Sequence, residues 1–118
     1  MLLLAEQNNH AEFMNAMYLV QLLLPLYDNQ KQPFSREAFE RVRHELTESF
    51  GGVTAFVRSP AVGLWKENEE DTRRDDVVMF EVMADDLDQG WWADYRRRLE
   101  QEFRQDELIV RALQVTKL

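Results

Sequence analysis

The chain of 118 residues contains no cysteine. Disulfides, thiol nucleophiles and thiolate metal sites are thereby excluded, and a reducing compartment is permitted. It also lacks a long apolar run. Met1–Leu4 is apolar, but with no basic cluster before it this stretch falls short of a signal-peptide core and of the ~20 residues that a spanning helix needs. A cytoplasmic protein with no membrane partner is expected. Positive charge is in deficit: 14 Lys and Arg against 22 Asp and Glu leave a formal charge of −8. That balance repels duplex nucleic acid, and none is predicted as a partner. No Gly-rich loop followed by Lys is present to cradle a phosphate, and no Ser/His/Asp set can be assembled. His10 lies in the N-terminal segment. His44 has Glu40 and Glu48 four residues to either side, a spacing that can chelate a metal but is read here as an ordinary solvated charge ladder. No metal, no cofactor and no catalytic residue is assigned, and nothing decides whether the protein is an enzyme.

What is present suffices for one globular domain. Apolar residues make up 45% of the chain, and three Trp with seven Phe supply large areas to bury. Residues 1–15 read as an N-terminal arm, and 16–118 as a single domain. Met17–Leu24 is a short apolar run ended by Pro25, which predicts a first strand. Ser35 is a candidate N-cap, with Phe34 and Phe39 at the spacing of a hydrophobic staple, and Gly51-Gly52 marks the stop of a helix over Arg36–Phe50. Val53–Arg58 alternates as a second strand. The charged stretch 66–76 reads as a solvated connection. The segment Gly63-Leu64-Trp65 just before it can begin a short extra strand. Asp76–Ala84 is a nearly unbroken apolar strand interrupted by Glu81. Asp85 or Asp86 can cap a second helix whose buried stripe is Trp92, Tyr95, Leu99 and Phe103, and Leu108–Val115 closes the chain as a fourth strand.

Strand, helix, strand, strand, helix, strand is the βαββαβ order of the α+β ferredoxin-like fold, with both helices on one face of a four-stranded antiparallel sheet. The period of two then sorts the side chains of the uncovered face. Leu19, Gln21 and Leu23 come from the first strand, and Thr54, Phe56 and Arg58 from the second. Val77, Met79, Glu81 and Met83 come from the third, and Ile109, Arg111 and Leu113 from the fourth. So apolar a face predicts burial against another copy, a homodimer through the open sheet face. The polar belt of Gln21, Arg58, Glu81 and Arg111 has two explanations. Glu81 can pair with an Arg to set the register of the interface. Alternatively, Glu81, Gln21 and Arg111 line a cavity between the sheets, a small-molecule site in which burial turns Glu81 into a general base, as in a cofactor-independent enzyme of the dimeric α/β-barrel type. Trp65 and Trp91 form a further candidate corner for a flat ligand, since Trp91 and Trp92 are adjacent on a helix and cannot both face one core.

Phe50-Gly51-Gly52-Val53-Thr54, Gly63-Leu64-Trp65 and Phe103-Arg104-Gln105-Asp106 follow an F-x-G-x-T, G-x-W, F-x-Q-[DE] spacing. Over roughly Met17–Val115 the chain thereby resembles small uncharacterised bacterial ferredoxin-like proteins of unknown function. The resemblance implies the fold and carries no activity with it.

Overall fold

Three strongly apolar strands in one chain must share a core, and the structure places them side by side. A computed structural model of the chain describes residues 16–58 and 76–118. Its elements run β1 (Ala16–Pro25), α1 (Arg36–Phe50), β2 (Thr54–Arg58), β3 (Val77–Ala84), α2 (Gln89–Glu102) and β4 (Ile109–Thr116). The strands form one antiparallel sheet in the order β2-β3-β1-β4, the ferredoxin-like arrangement. The two most apolar strands, β1 and β3, are therefore central. Among the described residues no helix is long and apolar enough to cross a membrane. The arm, the segment with Trp65 and positions 66–75 of the charged connection lie outside the described residues.

The helix starts follow from local chemistry. Ser35 caps α1 by accepting from the Ala38 N–H at 3.2 Å, and Phe34 and Phe39 close the staple with ring centroids 6.5 Å apart. Gly51 ends α1 in the left-handed region at φ 81°, where its N–H reaches the Thr47 carbonyl. For α2 the cap is Asp88 rather than Asp85 or Asp86: its Oδ1 accepts from the Trp91 N–H at 3.0 Å. The helix begins at Gln89, and only a carboxylate one residue earlier reaches that third amide. Glu100 ties the end of α2 to the start of β4, because its Oε2 accepts from the Leu108 N–H at 2.9 Å and also meets Arg96. Leu108 is thus a buried lead-in, and β4 starts at Ile109.

Val20, Leu22 and Leu24 of β1 and Val78, Phe80 and Val82 of β3 pack with Val42 and Leu46 of α1 and Trp92, Tyr95 and Leu99 of α2. Two aromatic groups pin the helices together at opposite ends. Phe34 and Phe39 meet Phe103 at centroid distances of 4.9 and 5.6 Å, and Phe50 meets Trp91 and Trp92 at 5.1 and 5.0 Å. The start of α1 therefore lies by the end of α2 and the reverse, so the helices run antiparallel. They cover the centre of the sheet but not its edges: on the helix side, Val57 of β2 is 59% exposed, and Ala55, Ala112 and Gln114 are exposed too.

Candidate functional site

The face without helices is organised in rows across the strands. Register places Thr54 opposite Glu81, Glu81 opposite Gln21 and Gln21 opposite Arg111, so one polar row crosses all four strands. Above and below it lie apolar rows: Phe56, Met79, Leu23 and Ile109 on one side, and Met83, Leu19 and Leu113 on the other. Phe56, Met83, Ile109 and Leu113 are exposed large hydrophobics at 41%, 43%, 53% and 48%, whereas Met79 in the middle of its row is buried.

The polar row is hydrogen-bonded along its length. Arg111 donates from Nε to Oε1 of Gln21 at 2.7 Å, and Gln21 donates from Nε2 to Oε2 of Glu81, also at 2.7 Å. An amide can do both, accepting from a cation through its oxygen and donating to an anion through its nitrogen. Gln21 thereby holds a guanidinium and a carboxylate two strands apart, roughly 9.6 Å, without letting them meet. Among the described residues Glu81 Oε1 and the terminal nitrogens of Arg111 have no partner. Glu81 and Arg111 can each still bind a group of opposite charge.

Three of the six site residues expected from the sequence, Gln21, Glu81 and Arg111, are brought together here. Thr54 joins them at the far end, a position that alternation assigns to this face but that only register aligns with Glu81. Arg58 stands elsewhere: its backbone pairs with Val77, four residues along β3 from Glu81 and so about 13 Å away. Trp65 lies outside the described residues. Trp91 is half-buried on the helix layer, stacked on Tyr95 at 5.0 Å and edge-on to Trp92 at 4.8 Å. Both tryptophans find cover within the helix pair, because Phe50 stands between them at the end of α1 and touches both rings.

Trp91 also lines a cleft of about 440 Å³ between the two helices, together with His44, Glu45, Glu48, Tyr95 and Arg98. Its groups are mutually engaged. Tyr95 donates from its hydroxyl to Glu45 at 3.4 Å, Arg98 pairs with the same carboxylate, and the Arg98 guanidinium lies 4.9 Å over the Tyr95 ring. Burial, and then the negative charge of Glu45, push the Tyr95 hydroxyl above the ordinary tyrosine range. A buried tyrosine needs a partner for its hydroxyl, and that rule was the available signal for this network. The metal arrangement suggested by His44 is not assembled: Glu40 is taken by Arg43 at 2.7 Å, which leaves His44 with Glu48 at 3.3 Å. Among the described residues no group of three His, Cys, Asp or Glu is placed to hold a metal.

No family model and no curated protein matches the chain. In structure it is similar to a phage SAM lyase solved in complex with S-methyl-5'-thioadenosine. That likeness has a TM-score of 0.54 at 11% identity and covers 86% of this chain and 90% of that one. At such identity the likeness concerns the fold alone.

Proposed function

We propose that the protein is a self-associating interaction protein whose working surface is the open sheet face, with a second copy as its partner. The observation that carries this is the set of large apolar side chains left exposed, Phe56, Met83, Ile109 and Leu113, on either side of a hydrogen-bonded polar row. The four-stranded face measures about 19 Å by about 26 Å from strand spacing and rise. Its corrugated side-chain surface exceeds that plan area of roughly 500 Å², which brings it toward the ~800 Å² per partner of specific interfaces. Monomers rarely leave such a patch in water. A cysteine-free chain suits a reducing compartment such as the cytoplasm. Sedimentation velocity on the full chain tests the proposal. Self-association that Leu113→Ser abolishes, with the helix and strand content unchanged, is the expected outcome, and a monomer at high micromolar concentration overturns it.

A second reading draws on the Glu81 oxygen and the Arg111 guanidinium nitrogens that have no partner among the described residues. A small ligand with a hydrogen-bond donor at one end and an anionic group at the other would satisfy both, with Glu81 as a base and Arg111 steadying a developing anion if chemistry follows. S-methyl-5'-thioadenosine, the molecule held by the phage protein of similar fold, offers donors to Glu81 but carries no anionic group for Arg111, so it probes the carboxylate side of the row alone. Glu81→Gln separates the two readings. It weakens self-association on the first and leaves assembly intact with ligand binding lost on the second.

A further inference from the structure

The charges of the open face have an order, and the order has consequences for how a second copy can sit. Glu81 on β3 and Arg111 on β4 flank Gln21 on β1 in one row, each about 4.8 Å to its side. Each charge is half spent: one oxygen of Glu81 and one nitrogen of Arg111 are used on Gln21, and their outer atoms have no partner among the described residues. Two sheets packed face to face lie about 10 Å apart with their strands roughly aligned. A twofold axis between them can then run across the strands or along them.

An axis across the strands over Gln21 sets Glu81 above Glu81 and Arg111 above Arg111, like charges facing each other where water is scarce. An axis along the strands but between β3 and β1 sets Glu81 above Gln21 and Arg111 above Thr54, with no opposite charges matched. Only an axis along the strands over Gln21 reverses the row, so that each carboxylate faces a guanidinium. In that arrangement the apolar rows also meet apolar partners: Met83 faces Leu113, Met79 faces Ile109, and Leu19 and Leu23 face their own copies. The aligned-sheet rotation of about 30° shifts the row little, because the row lies at the axis.

We infer that two copies of this chain meet about a twofold axis parallel to the strands and centred over Gln21, so that Glu81 of each chain is completed by Arg111 of the other. This rests on the self-association proposed above and adds its geometry. Gln21 then acts as a spacer, keeping the carboxylate and guanidinium of one chain apart and aimed, so that both remain for the second copy.

The absence of cysteine allows a direct test that leaves the charges untouched. Separately tagged Met83→Cys and Leu113→Cys chains are mixed and treated with a short bis-methanethiosulfonate linker, since facing Cα atoms about 10 Å apart are beyond disulfide range. The expected product is the mixed 83–113 dimer, while a mixture of Ile109→Cys and Leu113→Cys chains gives little. The reverse pattern, 109–113 links without 83–113, leaves self-association standing and overturns the axis. A monomer by sedimentation overturns the axis and the assembly together, and a trimer or larger ring overturns the twofold. Charge reversal gives an independent readout. Glu81→Arg weakens association by about tenfold or more, and the double variant Glu81→Arg/Arg111→Glu restores it. Thermal unfolding of each variant separates lost pairing from lost folding. Failure of the double variant to recover, with the fold intact, counts against the pairing.

Discussion

The two faces of the one sheet carry similar numbers of large apolar side chains and put them to different uses. On the helix side, Val20, Leu22, Leu24, Phe80 and Val82 are at most 2% exposed, and no polar residue among those described is buried with them. On the other side, apolar rows of comparable size flank a row that contains a carboxylate, an amide and a guanidinium. The difference fits the use proposed for each face. A core gains from removing all polar groups, because any left unpaired costs more than a hydrogen bond returns. A surface that must find one partner in one orientation gains from a few charges whose order cannot be matched any other way.

The largest expected effect is on the helix side. Phe80→Ala opens a cavity beneath both helices and should lower unfolding free energy by about 3–5 kcal/mol, read from urea midpoints. Glu100→Ala leaves the Leu108 N–H without its acceptor at the junction of α2 and β4, and a loss of about 1–3 kcal/mol is expected in the same assay. Asp88→Ala removes the cap of α2 and should cost about 1 kcal/mol, whereas alanine at Asp85 or Asp86 should cost little. Leu113→Ser on the open face should stay within about 0.5 kcal/mol of the parent at concentrations where the chain is monomeric. Under the proposed self-association, its effect falls on assembly. A loss at Leu113 as large as that at Phe80 under those conditions would erase the distinction between the faces.

The smallest effect appears only in alkali. The Tyr95 hydroxyl titrates above its ordinary value of about 10, chiefly because burial disfavours the phenolate and secondarily because Glu45 lies beside it. Above that value the unfolded chain loses its proton first and the folded chain keeps it. The associated stability is therefore complete below about pH 10 and falls as pH rises toward the folded-state value. Tyr95→Phe should flatten this alkaline decline and leave the slope near neutrality unchanged, as followed by thermal unfolding across pH.

Much of the fold was legible in short windows. Ser35, the Phe34 and Phe39 staple, and Gly51 bounded α1 because capping and stapling are contacts between residues a few positions apart. The cap of α2 was not legible in the same way, since Asp85, Asp86 and Asp88 offer the same chemistry and only the first helical residue selects among them. Nor did alternation reveal that Val57, Ala112 and Gln114 stay exposed on the helix side, because which strand positions lie beneath a helix is set by packing between distant segments and not by neighbours along the strand. The packing of Trp91 likewise depended on Phe50, 41 residues earlier in the chain and at the end of the other helix.

The sequence by itself determined which side chains share a face. Alternation along a strand is a property of neighbouring residues, and it assigned Gln21, Glu81, Arg111 and Thr54 to the open side. Tertiary structure alone decided that these four stand in one row. Gln21 is 60 residues from Glu81 and 90 from Arg111, and a shift of two residues in either strand pairing would keep every face assignment yet scatter the row. Register is a non-local choice made by the whole core at once, and the order of charges on the open face follows from it.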